Sequence, residues 1–453
     1  MFDENMMCMK KIYLINLIFI SLQISAQVPS IQESLTFGGT SFDQAQSGIE
    51  LLNGDFIIAG QTQSSDYDIA HLLGIMDIWL VKTTGEGISY KNRVYGGTSD
   101  EWAVKVLKSD QGYFILGTTS SNDLNVRGNH GEYDVWAVRI NDEGEILRAR
   151  CLGGSANEFA NDAIATSDGG YLITATTYSN DGDVNYNHGN ADVWVVKVND
   201  NAEIEWQKSL GGAGAEMDAK VLETEDGNFI IASSGNSTDG SLHLQHGGSD
   251  IWVVELSSTG NILRQQCYGG TGNEFAGAIA MQAGNILGLT ATTSSNDGDV
   301  SGQHGGADVW FLQLNEKGKI ISEHCFGGTD SDQARDIKSI EGGGWLLAAA
   351  TYSQDGDVSG NHGRYDAWLI ELNTVGNLVW QQCYGGTKDD LPNALLLTQD
   401  KHWAICGYSH SKSDDLTKNY GESDVWVFQL YKNHNQNKKN ISVFSPDITT
   451  AEY

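Results

Sequence analysis

Short apolar runs separated by turn residues dominate the hydrophobic pattern of this chain. Between residues 275 and 326, four runs have the length of a β-strand: FAGAIAMQ, NILGLTATT, DVWFLQLN and KIISEHCF. The segments 283–285 (AGN) and 316–318 (EKG) contain residues typical of tight hairpin turns. Runs such as 193–196 (VWVV) are apolar on both faces, which indicates strands whose sheet is covered on both sides.

This four-strand unit recurs along the chain, and two markers define its period. Successive copies of each marker are 57 or 58 residues apart. A Gly-Gly pair follows the fourth strand, with its first glycine at Gly38, Gly96, Gly153, Gly211, Gly269, Gly327 and Gly385. The motif Asp-x-Trp begins the third strand at Asp77, Asp134, Asp192, Asp250, Asp308, Asp366 and Asp424. The pattern predicts an all-β fold, a seven-bladed β-propeller of four-stranded antiparallel blades.

The two ends of the repeat region predict how the ring closes. The seventh unit stops after its third strand, DVWVFQLYK, while an additional strand, Glu33–Phe37 (ESLTF), precedes the first unit. Pairing these two strands would complete the last blade and leave no free edge in the ring. We therefore expect the N-terminal strand to close a propeller domain that covers residues 27–432.

The N-terminal residues have the layout of a secretory signal peptide. Lys10 and Lys11 precede an apolar run from Ile12 to about Leu22, and small residues follow before Gln27. We predict a signal peptide over residues 1–26, a secreted or extracytoplasmic location, and no transmembrane segment after cleavage. An uncleaved N-terminal anchor is the alternative. Residues 433–453 are predicted to form a polar C-terminal tail.

The charge balance restricts the partners of this protein. Asp and Glu number 59 against 27 Lys and Arg, and the formal net charge is −32. Such a surface repels nucleic acids and anionic lipids, whereas it permits cations, basic proteins and neutral glycans. Four of the six cysteines occupy equivalent positions in separate units, so we expect no disulfide framework. We expect a monomer.

The repeat itself resembles a known group of proteins. Residues 192–213, DVWVVKVNDNAEIEWQKSLGGA, and 366–387, DAWLIELNTVGNLVWQQCYGGT, are similar to the repeat D-x-W-V-V-K-L…W…Y-G-G-T of bacterial secreted seven-bladed β-propeller proteins. The resemblance covers about residues 33–432. It implies a propeller in an exported or surface protein, and it implies no particular reaction.

The loop before Asp-x-Trp resembles the calcium loop of EF-hand proteins, which has acids at positions 1, 3 and 12, an oxygen donor at 5 and glycine at 6. Blades 5 and 6 match fully, and blade 3 lacks the glycine. The resemblance implies calcium ligands at Asp297, Asp299, Ser301 and Asp308; at Asp355, Asp357, Ser359 and Asp366; and at Asp181, Asp183, Asn185 and Asp192. Position 12 is Asp where the usual residue is Glu. The alternative is a set of Asx turns with solvated carboxylates.

Another acid stands five residues after the first glycine of every unit: Asp43, Glu101, Glu158, Glu216, Glu274, Asp332 and Asp390. These acids predict a ring of carboxylates near one mouth of the central channel, where they would attract cations. The alternative, that each acid caps backbone N–H groups of the adjacent turn, is favoured by its presence in all seven units. We also expect the histidines of five loops to pair with the Asp of Asp-x-Trp.

These patterns favour an exported, non-enzymatic binding or scaffold propeller, with calcium as a candidate stabilising ion and an acidic face for a protein or glycan partner. Seven nearly equal units without a singular catalytic cluster support this hypothesis. The Asp-x-Trp tryptophans are expected in the core between blades, while Trp102, Trp345 and Trp403 break the repeat and are candidates for glycan stacking. The alternative is a polysaccharide-acting lyase or glycosidase.

Overall fold

The computed structural model describes residues 28–84, 89–240 and 246–431. Its 28 β-strands form seven antiparallel sheets of four strands each, so the predicted seven-bladed β-propeller is confirmed. Within these residues, no helix has the length and apolar character needed to cross a membrane. The predicted signal peptide, 1–26, and the predicted tail, 433–453, lie outside the described residues.

The strands are numbered in chain order, and strand β1 is Ser30–Phe37. Blades 1 to 3 contain β2 Asp43–Glu50, β3 Phe56–Thr62, β4 Asp77–Thr83 and β5 Ser89–Tyr95; β6 Glu101–Ser109, β7 Gly112–Thr119, β8 Asp134–Ile140 and β9 Ile146–Leu152; and β10 Glu158–Ala165, β11 Tyr171–Thr177, β12 Asp192–Val198 and β13 Ile204–Leu210.

Blades 4 to 7 follow the same order. They contain β14 Glu216–Glu223, β15 Phe229–Gly235, β16 Asp250–Leu256 and β17 Ile262–Tyr268; β18 Glu274–Gln282, β19 Ile286–Thr293, β20 Asp308–Leu314 and β21 Ile320–Phe326; β22 Asp332–Ser339, β23 Trp345–Thr351, β24 Asp366–Leu372 and β25 Leu378–Tyr384; and β26 Asp390–Leu397, β27 Trp403–Ser409 and β28 Asp424–Tyr431.

Strand β1 closes the ring, as the sequence predicts. It pairs antiparallel with β28, from Ser30 opposite Tyr431 to Phe37 opposite Val425, and gives the last sheet the order β1-β28-β27-β26. The strand begins at Ser30, three residues before the predicted start at Glu33. The indole N–H of Trp426 donates to Ser34 Oγ at 2.9 Å, which fixes the register of this closing pair.

The hydrophobic core lies between neighbouring blades. The Asp-x-Trp tryptophans are all buried, as predicted: Trp79, Trp136, Trp194, Trp252, Trp310, Trp368 and Trp426. In one such layer Trp194 of blade 3 packs with Phe114 of blade 2. Trp345 and Trp403 are also buried, at 0% and 6% exposure, so their assignment to a glycan-stacking surface is wrong. Both begin the second strand, where the other blades also place an apolar residue in the core.

The cysteines of the described residues are all buried: Cys151, Cys267, Cys325, Cys383 and Cys406. Burial raises the pKa of the Cys151 thiol to about 12, so this thiol stays protonated at neutral pH. We conclude that these thiols fill the core and are not poised for chemistry.

The first strand of each blade lines the central channel, a space of about 590 Å³. A β-bulge interrupts every one of these strands, so consecutive residues such as Asn161 and Asp162, or Arg335 and Asp336, both line the channel. One end of the channel opens on the face that carries the Gly-Gly links and the loops between second and third strands. We call this side the loop face.

Candidate functional site

The seven acids that follow the Gly-Gly pairs are structural. Each is fully buried. Each accepts a hydrogen bond, 2.6–3.0 Å long, from the backbone N–H of the second glycine of its own link. A threonine or serine hydroxyl at the end of the second strand donates to the same carboxylate in six blades, for example Thr119 to Glu101 at 2.6 Å. The capping role is thereby confirmed, and these acids form no exposed cation funnel.

The aspartates of Asp-x-Trp are buried as well, and they hold the loop that precedes them. In five blades the Oδ2 atom of the aspartate accepts a hydrogen bond from the backbone N–H of the loop histidine. The ring Nδ1 of the same histidine lies 2.5–3.2 Å from that Oδ2 atom. These histidines are His130, His188, His246, His304 and His362, so the predicted His–Asp pairing is confirmed. In blade 1, the N–H groups of Leu73 and Gly74 take the place of the histidine.

A pair of carboxylates therefore meets at every blade junction, one from each neighbouring blade. We call each a carboxylate pair. At Gly96, a Cβ atom would lie 2.0 Å from Asp77 Oδ1 and 2.4 Å from Glu101 Oε2, so only glycine fits between the two acids. Among the described residues, the Oδ1 atom of every Asp-x-Trp aspartate is buried without a hydrogen-bond partner. These oxygens face the neighbouring blade's acid with no donor between them.

Burial of the carboxylate pairs shifts their ionisation. It raises the pKa of Asp77 and of Asp366 to about 6 and that of Asp424 to about 7. Backbone hydrogen bonds oppose the shift, and the facing acid adds to it, as Asp43 does for Asp424. Like charges in a dry site disfavour double ionisation, so these aspartates hold a proton more strongly than exposed ones.

The loops that resemble calcium sites use their first acid to hold the preceding Gly-Gly link. Asp297 Oδ1 accepts from the backbone N–H of Thr271 at 2.7 Å, and its Oδ2 accepts from the Thr271 hydroxyl at 2.8 Å. Asp355 makes the same contacts with Thr329, and Asp181 accepts from the N–H of Ser155. These bonds lower the pKa of Asp297 and Asp181.

The other positions of these loops have separate partners. The acids at the third position are Asp299, Asp357 and Asp183. Each accepts a hydrogen bond, 3.3–3.4 Å long, from the backbone N–H of the first glycine of the link. Ser301 donates to Glu323, Ser359 accepts from Gln381, and Asn185 is exposed.

The acids at the twelfth position lie at the link that follows their blade, whereas the first-position acids hold the link that precedes it. These twelfth-position acids are Asp308, Asp366 and Asp192. In the part of the chain that the structure describes, no three His, Cys, Asp or Glu side chains are close enough together to hold a metal ion. The oxygens named by the EF-hand resemblance thus serve as hydrogen-bond acceptors for two different turns. Calcium binding stays a prediction from the sequence.

The channel mouth on the loop face is where the blades differ. Trp102 and Phe159 follow the buried acids of blades 2 and 3, and their rings lie near Tyr133 and Tyr178 with centroids 5.5–6.3 Å apart. Tyr178 is 42% exposed, and the other three are partly exposed. We call these four residues the aromatic cluster. Of the three tryptophans proposed for glycan stacking, only Trp102 lies on an accessible surface.

A second departure from symmetry lies in blade 6. Arg335 lines the channel and also a pocket of about 510 Å³ between blades 5 and 6, which we call the Arg335 pocket. Its Nη2 donates to Gln333 Oε1 at 2.9 Å, and Gln333 in turn donates to the Tyr365 hydroxyl at 3.3 Å. Burial lowers the pKa of Arg335, and the phenols of Tyr408 and Tyr365 partly oppose that shift.

Deeper in the channel, charged residues pair and connect blades. Lys105 Nζ lies 2.8 Å from Asp162, and Asp162 also accepts from the N–H of Val221 in blade 4. Burial raises the pKa of Asp162, but Lys105 and Lys220 outweigh it and the net shift is downward. This ion pair and the Asp162–Val221 hydrogen bond link the inner strands of blades 2, 3 and 4, and we take the mouth above them as the candidate binding surface.

Sequence reasoning missed most of this mouth. Arg335 is the only arginine at its repeat position, Phe159 and Phe275 share a second position with Trp102 and Gln333, and Tyr178 shares a third with Tyr352. Aligning the seven copies and comparing the second and fourth residues of the first strand, together with the residue after the second strand, would have found them. Tryptophans that break the repeat are a weaker signal, because two of the three lie in the core.

No protein-family model matches this sequence, and no curated protein matches it. Solved structures do. An ulvan lyase, a polysaccharide lyase, is 12% identical over 88% of this chain and 96% of its own, with a TM-score of 0.50. The WD40 domain of Neurospora crassa Pan2 is 12% identical over 84% and 88%, with a TM-score of 0.46. A Bacteroides caccae protein of unknown function is 15% identical over 68% and 90%, with a TM-score of 0.39.

These similarities are at the level of the fold, and the seven four-stranded sheets of the chain define its class as the β-propeller. An enzyme and a protein of unknown function both occur among them. Since unrelated functions share this architecture, the fold leaves the activity of this chain undecided.

Proposed function

We propose that this protein is an exported, non-enzymatic binding propeller whose ligand surface is the channel mouth on the loop face. The partner is a protein or a glycan. One observation carries the proposal: the accessible aromatic cluster and the Arg335 pocket lie on the same mouth, where the blades depart from their common sequence. A concave surface whose residues differ from blade to blade, above a core that repeats, is typical of a scaffold that presents a binding site.

The chemistry of the mouth agrees with this role. Partly exposed tryptophan and tyrosine rings supply contact area at low entropic cost, and they accept both apolar protein side chains and sugar rings. Exposed carboxylates of the loops, among them Asp181, Asp297 and Asp355, give the loop face its acidic character. Export is proposed from the predicted signal peptide, and N-terminal sequencing of the mature protein tests it.

A variant in the aromatic cluster tests the binding site. The chain from residue 27 onward is screened against immobilised glycans and the exported proteins of its host, and each hit is repeated with Trp102→Gln. Blades 1 and 6 carry Gln44 and Gln333 at this position, so the blade accepts glutamine. We expect hits to weaken by about tenfold or more. Tyr186→Ser, which removes a 59% exposed aromatic side chain elsewhere on the loops, is the matched control.

The proposal fails if ligands bind wild type and Trp102→Gln equally while Tyr186→Ser reduces binding. It also fails if no glycan or protein binds at all. Melting curves of each variant show whether a loss of binding comes from unfolding.

A second candidate function is an enzyme that acts on an acidic polysaccharide. Arg335 flanked by the phenols of Tyr365 and Tyr408 favours it, because elimination needs a neutralised carboxylate and a nearby base. Incubation with polyuronates, followed by detection of unsaturated chain ends, decides between the two. Turnover that Tyr408→Phe abolishes would establish the enzyme, whereas we expect no turnover.

A further inference from the structure

Arg335 differs from every other arginine of this chain. Six arginines form ion pairs: Arg93, Arg139, Arg148, Arg150, Arg264 and Arg364. Arg127 is exposed. Within the described residues, Arg335 alone is neither exposed nor ion-paired, and its Nε atom is buried without a hydrogen-bond partner. In a chain of net charge −32, a half-buried guanidinium without a carboxylate is a costly arrangement that needs an explanation.

The pocket beside Arg335 offers a defined set of groups. Phe275, which is 47% exposed, supplies an apolar ring on the blade 5 side. Asn273, Ser294 and Ser331 add amide and hydroxyl groups to the lining, while the Gln333 amide is already bonded to Arg335 and Tyr365. One cationic fork, one aromatic face and several neutral polar groups therefore converge on a space of about 510 Å³.

We propose that the Arg335 pocket binds a uronic acid residue of an acidic glycan, an inference that rests on the proposed binding function. The guanidinium of Arg335 pairs with the sugar carboxylate, for which its planar donors are matched. Phe275 stacks on the C–H face of the sugar ring, and the amide and hydroxyl groups bond to its hydroxyls. A peptide carboxylate would satisfy Arg335 alone and leave that polar lining unmatched.

The repeat shows that the blade itself does not require these two residues. At the position of Arg335, blades 1, 3 and 7 carry the neutral amides Gln46, Asn161 and Asn393. At the position of Phe275, blades 1 and 6 carry glutamine. The charge and the ring are additions to a strand that folds without them, and glutamine at either position is a substitution that the fold already contains.

Titration calorimetry with oligogalacturonate and with its methyl ester tests the pocket, at physiological salt so that long-range repulsion is screened. The methyl ester keeps the sugar ring and removes the charge. We expect oligogalacturonate to bind wild type, and to bind at least about tenfold more weakly to Arg335→Gln and to Phe275→Gln. We expect the methyl ester to bind wild type more weakly than oligogalacturonate does, by a similar factor. Arg364→Gln removes a cation of the loop face that is paired with Asp389, and it should bind as wild type does.

Several results would overturn this inference. The inference fails if wild type does not bind oligogalacturonate, or if the methyl ester binds equally well. It also fails if Arg335→Gln binds as wild type does, or if inorganic phosphate or an acidic peptide competes equally well. If wild type binds other ligands through Trp102 but ignores oligogalacturonate, this inference fails and the proposed function stands. If neither Trp102→Gln nor Arg335→Gln affects any ligand, both fail.

Discussion

The blade junctions and the channel mouth lie on the same face of the molecule and follow opposite rules. At the junctions, all seven copies keep the same buried carboxylate pair around a glycine, with the same hydrogen bonds from the link. At the mouth, a few residues away on the first strand, the same position holds Trp102, Phe159, Phe275, Gln333 or Leu391. Repetition therefore identifies what the fold needs, and variation identifies what is available for recognition.

The comparison predicts its largest effect at a junction glycine. In Gly96→Ala, the new Cβ would lie within 2.4 Å of two carboxylate oxygens whose side chains, Asp77 and Glu101, are buried and held in place by hydrogen bonds. We expect a loss of about 3 kcal/mol or more in the free energy of unfolding, measured by denaturant titration.

Gly54→Asn is the control for that experiment. Gly54 has a positive φ of 82° in a hairpin turn, and its Cβ would meet nothing within 4 Å. Asparagine tolerates this conformation, so we expect a change below about 1 kcal/mol. If both variants lose stability equally, crowding by the carboxylate pair is not the reason for the glycine.

An effect of intermediate size should come from pH. Asp77 and Asp366 have pKa values near 6 and Asp424 near 7 in the folded chain, against an ordinary value of 3.8. The folded state thus binds more protons than the unfolded state between these values, and stability falls as the pH rises from about 4 to about 7. We expect a higher melting temperature at pH 5 than at pH 8.

Asp424→Asn tests how much one carboxylate pair contributes to this pH dependence. Its amide oxygen still accepts from the N–H of Tyr420, and its NH₂ group faces the Asp43 carboxylate, as a protonated Asp424 would. We expect this variant to melt above wild type at pH 8 and to depend less on pH. A wild-type melting temperature that increases from pH 5 to pH 8 would contradict the assigned shifts.

The smallest effect is expected from calcium. Because the first-position acids of the loops already accept hydrogen bonds from the Gly-Gly links, we expect the predicted calcium binding to raise the melting temperature only slightly in millimolar Ca²⁺ relative to EDTA. Mg²⁺ at equal concentration controls for ionic strength. An identical melting temperature in EDTA and in Ca²⁺ would contradict the calcium sites predicted from the sequence.

Most of the fold could be predicted because each unit repeats its own boundaries. In blade 5 the predicted strands agree with β18 to β21 to within about one residue. The buried position of the Asp-x-Trp tryptophans and the His–Asp pairs also followed from repetition. Repetition did not reveal the burial of a residue that differs from its counterparts. Trp345 and Trp403 look exceptional in the sequence, yet they occupy an ordinary core position.

The candidate site was harder to predict for a physical reason. Arg335 and Phe275 lie on adjacent blades, 60 residues apart, and only the ring geometry brings them to one pocket. The calcium resemblance illustrates the converse problem. Spacing placed Asp297 and Asp308 in one twelve-residue loop, whereas the strands direct them to two different links.

The closing strand has a consequence for biosynthesis. Ser34 is among the first residues of the domain to be made, and its partner Trp426 follows 392 residues later. While the ribosome produces the blades in between, β1 has no β28 to pair with, and both edges of the growing sheet array stay open to other chains. The ring is therefore protected from pairing with other chains only when β1 meets β28, late in synthesis. A chain that ends before residue 424 cannot form this pair and keeps both edges unpaired.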